Sequence, residues 1–315
     1  MLGPDPKDDK EVVMLNRVIS WRDPYGQDEA IDIEADSRHA ELIVKQLGLS
    51  TAKGVDTPSV KRTDAEEQQC ERESVLPSRE GTLYRSCTMR AAYLSTDRID
   101  IGETVKNLAR NMQNPKQTNM GELKRLGRYL KKYPNVKRKF GLHRFPATAG
   151  MVGDADWVGC LKTRMSTSGV IGKFGKHLIT GKSDLQSTIA LSSGESEFYA
   201  ISKAAAMGLF LRAMLDDWGL AVKIEVHTDS SAAKAFCNKR GLVRASRHVQ
   251  TRFLWVQERI ASGVLSVLKV STADNEADIL TKAISRTLMQ KHLKTLGLSF
   301  SETKSSLHKE ILNDG

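Results

Sequence analysis

The 315-residue sequence predicts an α/β protein in parts: a mostly helical region over 1–146, a mixed five-stranded sheet with flanking helices over 147–298, and a tail over 299–315. Three observations carry this expectation. The length exceeds what one hydrophobic core usually organises, so two domains of roughly 150 residues each are expected. Helical periodicity dominates up to about residue 145, and Pro146 and Gly150 then punctuate a change to β-type alternation. From there the signals run βββ-α-β-α-α-β-α, an order that a mixed sheet covered by helices on both faces satisfies.

In the first part, DSRHAELIVKQLGL offers Asp36 as an N-cap, then Leu42, Ile43, Leu47 and Leu49 on one face, with Gly48 near the stop. The polar stretch from Gly54 to Pro77 reads as a surface loop or linker. Helical patterning resumes in LYRSCTMRAAYLS, in IGETVKNLARNMQ and in GELKRLGRYLKKY. Beyond the boundary, strands are expected up to GDADW, in GVIGKFG and across KHLITGKSDLQSTIAL, as an antiparallel meander. A long helix follows in SSGESEFYAISKAAAMGLFLRAMLDDWG. Ser192 and Glu195 form a capping box, Phe198, Ile201, Ala205 and Leu209 a stripe, and Gly219 the stop. KIEVHTD then reads as a strand, SSAAKAFCN and RHVQTRFLWVQERIASG as helices, VLSVLKVST as a strand and DNEADILTKAISRTLMQKHLK as the last helix.

Composition narrows the class. No apolar run approaches the roughly 18 residues that span a bilayer, and the N-terminus lacks a secretory pattern, so an intracellular protein of cytoplasm or nucleus without a membrane partner is expected. Cys70, Cys87, Cys160 and Cys237 show neither C-x-x-C pairing nor zinc-ligand spacing to histidine, which predicts four free thiols. The net charge of +10 points toward a polyanion. Its distribution sharpens this: between Lys106 and Arg144 twelve basic residues face one acid, Glu122. Around Leu123, Leu126 and Leu130 the cations Lys124, Arg125, Arg128, Lys131 and Lys132 make a basic amphipathic helix, suited to a phosphate backbone. A membrane surface or a merely solvated face are the competing readings.

Four acids hold positions where an α/β sheet gathers its sites. Asp154 ends the first strand, Asp229 ends the fourth, and Glu197 and Asp278 lie in the first turns of helices. Hard oxygen donors without histidine or thiolate favour magnesium or manganese over zinc. Individually each acid is better explained without a site, since the chain holds 38 of them and an acid in a first helical turn usually complements the helix dipole.

The blocks GDADW, STSG, QSTIALSSGESEFYA, HTDSSAA, RHVQTRFLWVQERI and DNEADILTK resemble, in order, the motifs of a copia-type retrotransposon ribonuclease H. EADSRHAELIVKQLGL, TLYRS, AYLSTDRIDI and GELKRLGRYLKKYP resemble the thumb and connection that follow the reverse-transcriptase palm of the same polyprotein. The resemblance implies a ribonuclease H-like fold, with metal held by Asp154, Glu197, Asp229 and Asp278. Glu197 is preferred to Glu195 because EFYAI matches the family's helix pattern, and Asp156 is the reserve for Asp154.

The implied activity is two-metal hydrolysis of the RNA strand of an RNA–DNA hybrid, with two Mg2+ or Mn2+ ions. Arg247 and His248 match a recurring basic pair that meets phosphate, against the plainer reading of a solvated helix start. Trp157 and Trp255 are expected in the core, with base-stacking platforms as the competing reading. VSTADNEAD carries no histidine ahead of Asp278, where cellular enzymes of this fold often do, which implies slower turnover. No paired aspartates of a polymerase palm are visible, so the chain is expected to be a polyprotein fragment unable to copy nucleic acid without the remaining reverse-transcriptase domains. The alternatives are a catalytically idle nucleic-acid-binding remnant and an unselected fossil.

Overall fold

The computed structural model describes residues 2–3, 5–160, 163–241, 248–249 and 251–301. The chain divides into two compact units, Met1–His143 with Ala283–Gly315, and Arg144–Lys282. The sequence reading drew its divisions after 146 and after 298; the compact units divide after His143 and after Lys282, and the chain beyond Lys282 contributes a strand to the first unit.

In the first unit, β1 (Glu11–Met14), β2 (Arg17–Arg22) and β3 (Ala30–Glu34) precede α1 (Arg38–Gln46), α2 (Asp64–Arg72), α3 (Ser78–Leu94), α4 (Gly102–Arg110) and α5 (Gln117–Lys132). β4 (Asn135–Gly141), and after the second unit α9 (Arg286–Thr295) and β10 (Leu298–Ser301), complete it. The strands form an antiparallel sheet in the order β1-β2-β3-β4-β10. The helices expected in 1–146 are present, and beside them stands a sheet of short strands that the sequence pattern does not announce. These strands are short, and one face is charged: Arg22 pairs with Asp32, and Lys137 with Glu34. Apolar alternation is diluted accordingly, and β4, NVKRKFG, passes as a continuation of the basic run.

The expected loop over 54–77 contains a helix. In α2 the Thr63 side chain accepts from the Glu66 N–H while Glu66 accepts from the Thr63 N–H, a complete capping box. Only Cys70 of α2 is buried, so no apolar stripe announced it. The α1 cap is Ser37, not Asp36, whose carboxylate binds the Arg38 N–H and guanidinium instead. Ile43, Leu47 and Leu49 are buried as expected, whereas Leu42 is exposed. Tyr84, Leu94, Leu108, Leu123, Leu126 and Leu130 fill the helical core. Each such side chain withdrawn from water contributes roughly 1.5–3 kcal/mol.

The second unit follows the expected meander. β5 (Thr148–Asp156), β6 (Thr167–Phe174) and β7 (His177–Leu185) pair antiparallel, and β8 (Lys223–Thr228) and β9 (Leu265–Lys269) continue the sheet parallel to β5. The order is β7-β6-β5-β8-β9. Between them lie α6 (Ser193–Asp217), α7 (Ser231–Cys237) and α8 (Trp255–Ala261). α6 meets the length and composition of a membrane-crossing helix, contrary to the sequence expectation, but half of its apolar window is buried and it packs on β5, β6 and β8.

The last helix is not continuous. Glu276–Leu280 is a 3-10 turn, and α9 begins afresh at Arg286 with Ser285 as its cap. All four cysteines are free and buried.

Candidate metal centre

Two glycines let the site assemble. A Cβ on Gly153 of β5 would lie 3.3 Å from the Ala200 carbonyl oxygen, so its absence brings the α6 backbone close. Gly169 of β6 pairs with Asp154, and a Cβ there would stand 2.9 Å from the Ala277 carbonyl oxygen and 2.7 Å from the Thr281 methyl. Neighbouring ladder positions face opposite sides of a sheet. α6 and the 3-10 turn therefore close on the end of β5 from its two faces.

There the carboxylate oxygens of Asp154, Glu197 and Asp229 lie within 4.8 Å of one another. Asp154 and Glu197 are buried and Asp229 is half-buried directly after β8. Asp154 is oriented by two donors from the 3-10 turn, Asn275 Nδ2 at 2.9 Å and the Thr281 hydroxyl. Glu197 accepts from the Ala155 N–H at 3.3 Å through Oε1, while its buried Oε2 has no hydrogen-bond partner. Glu197 lies in the second turn of α6, not the first as expected, because the helix begins at Ser193.

The electrostatics follow from crowding. Burial, then the charges of Asp278 and Asp229, push Asp154 up to about 7 against the Thr281 bond and Lys282. Burial, then Asp154 and Asp229, push Glu197 up to about 9. Asp278 is on the 3-10 turn, not in the first turn of a long helix. It is outside the trio and ion-pairs with Lys282 at 2.7 Å. Burial opposes the Lys282 charge, but its bond to Asp278 and the fields of Asp154 and Asp229 prevail and raise its pKa. An orphaned buried carboxylate oxygen among three converging acids fits a hard divalent cation, which would add positive charge to that of Lys282.

Glu195, the rival to Glu197, has both oxygens taken. Oε1 accepts from the Tyr199 hydroxyl, and Oε2 faces the Leu191 N–H at 3.0 Å and His248 Nε2 at 2.8 Å. These bonds hold its pKa low despite burial. The expected capping box is half formed, since Ser192 accepts from the Glu195 N–H but Glu195 reaches Leu191 instead of the cap. Asp156, the reserve candidate, is not in the trio. His248 thus meets a carboxylate, and Arg247 lies outside the described residues.

The basic helix buries Leu123, Leu126 and Leu130 as expected, yet its cations are largely engaged. Arg125 binds the Thr57 hydroxyl, Arg128 the Lys53 carbonyl, Lys131 the Ala52 carbonyl and Lys132 the Asp56 carboxylate. Lys124 is exposed, with no partner among the described residues. Trp157, expected in the core, is 46% exposed; Trp255 is half-buried against the core. Sequence reasoning passed over Asn275, Thr281, Lys282 and Gly169. Only the Asp278–Lys282 spacing signalled any of them.

A scan against protein-family models finds no match. The chain is similar to the retrovirus-related Pol polyprotein from transposon RE1 of Arabidopsis thaliana, 29% identical over 226 residues, 69% of this chain and 15% of that protein. It is similar to the corresponding polyprotein from transposon TNT 1-94 of Nicotiana tabacum, 27% identical over 267 residues, 83% of this chain and 20% of that protein. With secreted RxLR effector protein 161 of Plasmopara viticola it shares 37% identity over 132 residues, 41% of this chain and 90% of that protein. Among solved structures, RNase H1 from Halobacterium salinarum NRC-1 is 16% identical with a TM-score of 0.31, over 42% of this chain and 94% of that one. The chain spans a fifth or less of the length of the two polyproteins, 20% and 15%. Its homologues are retrovirus-related Pol polyproteins from copia-type transposons.

Proposed function

We propose that the second unit is a ribonuclease H-type endonuclease that cuts the RNA strand of RNA–DNA hybrids with two divalent cations, Mg2+ or Mn2+. The observation that carries this reading is the convergence of Asp154, Glu197 and Asp229 around the unpartnered Glu197 Oε2. Asp154, Glu197 and Asp229 would hold the ions, with Asp278 completing the set. Cations bound there supply Lewis acidity toward water and the leaving oxygen.

The chain's own residues prepare the site. Asn275 and Thr281 fix the Asp154 carboxylate, the Ala155 N–H fixes Glu197, and Lys282 steadies Asp278. Hydrolysis by in-line attack of water leaves a 3′-hydroxyl and a 5′-phosphate. Hybrid binding is proposed to draw on Lys124, Arg125, Arg128, Lys131 and Lys132, together with Arg247 and His248. Polymerisation requires the remaining reverse-transcriptase domains as partners.

Incubation of the full chain with a labelled hybrid should give magnesium-dependent cleavage of the RNA strand, lost by at least about a thousandfold in Asp229→Asn, the order expected when transition-state charge stabilisation is removed. Cleavage that survives this change rejects the assignment. Salt-sensitive binding with no cleavage by the unaltered chain would favour the idle binding remnant.

A further inference from the structure

Beside the acids, Trp157 follows Asp154 by three residues at the end of β5. Its indole Nε1 donates to the Ala190 carbonyl at 3.1 Å, two residues before the Ser192 cap of α6. The turn that presents it is held in place: Val158 has φ 57°, which β-branched residues rarely adopt, and its N–H donates to the Ser166 hydroxyl at 3.2 Å. The polar edge of the ring is therefore satisfied while 46% of the residue stays exposed. Ile189 and Leu191, on the same segment, are exposed too.

Arg252 is anchored to the same segment. Its guanidinium donates to the Ser187 hydroxyl at 3.2 Å and the Thr188 hydroxyl at 2.9 Å, and rests over the Phe253 ring. It is exposed and makes no ion pair among the described residues, so its charge is oriented but not neutralised. A fixed aromatic face and a fixed unpaired cation, both bonded to one short segment, match a sugar or base next to a phosphate.

We propose that Trp157 and Arg252, both tied to residues 187–190, form a ledge that holds one strand of the nucleic-acid substrate. Trp157 packs on a sugar or base and Arg252 takes a phosphate. This rests on the ribonuclease H reading for its substrate, but the ledge is tested separately from the acids. The probe is a fluorescein-labelled RNA–DNA hybrid, titrated with the full chain in EDTA and followed by anisotropy.

Trp157→Ala should weaken binding about tenfold, and Trp157→Phe, which keeps a ring but loses the bond to Ala190, should stay within about threefold of the parent. Arg252→Gln should weaken binding and lower the slope of log affinity against log salt by about one. Equal losses in Trp157→Ala and Trp157→Phe would assign the ring a structural role only and overturn the proposal. So would unchanged binding in Trp157→Ala and Arg252→Gln, with urea midpoints confirming intact folds. If these variants bind and cleave like a parent that cleaves, the ledge falls and the nuclease stands. If binding drops as expected and no protein cleaves, the nuclease falls and the ledge stands.

Discussion

Replacing Glu197 by glutamine should stabilise the metal-free protein, and increasingly so as pH rises. In the folded chain, burial together with Asp154 and Asp229 moves this carboxyl from 4.5 up to about 9. Between those two values the folded state binds more protons than the unfolded state. Stability is therefore intact below the lower value and declines as pH rises through the window. At about 1.36 kcal/mol per pKa unit the full shift corresponds to roughly 6 kcal/mol above pH 9. Relaxation around a buried charge behaves as a dielectric of about 20, which brings the expected loss at pH 8 to the order of 2 kcal/mol. Glutamine keeps the shape and drops the charge.

Urea unfolding in EDTA, followed by tryptophan fluorescence, reads this mainly in the second unit, where Trp157, Trp218 and Trp255 lie. The variant should exceed the parent by about 2 kcal/mol at pH 8 and by well under about 1 kcal/mol at pH 5, with an unchanged denaturant slope. Added magnesium should reverse the ranking, since a ligand that binds only the folded parent stabilises it by mass action. Parent and variant curves that run parallel from pH 5 to pH 8 would refute the claim that Glu197 is crowded by the other acids.

Magnesium titrated into the chain at pH 7 should release between about one and two protons, visible as a buffer-dependent heat, because Asp154 at about 7 and Glu197 at about 9 must ionise to bind it. Gly169→Ala should cut hybrid cleavage about tenfold or more, measured as kcat, because a Cβ 2.9 Å from the Ala277 oxygen displaces the turn that orients Asp154. Arg98→Met should destabilise the first unit by about 3–5 kcal/mol in urea, because fully buried Arg98 pairs with buried Asp100 at 2.7 Å and its loss strands that charge. Adding Asp100→Leu to Arg98→Met should recover much of the loss.

What the sequence made legible depends on how locally each feature is encoded. β5 to β9 and α6 stand out because strand alternation, the Ser192 cap and Gly219, with φ 76° at the helix stop, are all local signals. β3 takes a cross-strand partner far away in the chain, Lys137 on β4 for Glu34, while β1 and β2 are short stretches such as EVVM that carry too little pattern. The two-residue turn between β1 and β2 was equally hidden: Leu15 and Asn16 take φ 51° and 61°, and leucine gives no sign of that geometry. The basic helix shows a further limit. Its charges were countable in advance, but their use in holding residues 52–57 depends on where that segment folds back.

The same limit applies most sharply to the last acid. DNEADILTK reads as the start of a helix, since Asp278 and Lys282 stand four apart and do pair at 2.7 Å. Yet Asn275 and Thr281 are both required by Asp154, one through Nδ2 and the other through its hydroxyl. Gly169, lacking a Cβ, lets the Ala277 carbonyl oxygen approach closely. A 3-10 turn is short enough to meet these contacts, with the Asn275 side chain capping it at Ala277. The helix is thus given up locally so that a carboxylate raised to about 7 keeps two donors. The departure from helical pattern falls at the candidate metal centre, where tertiary contacts to Asp154 outweigh propensity.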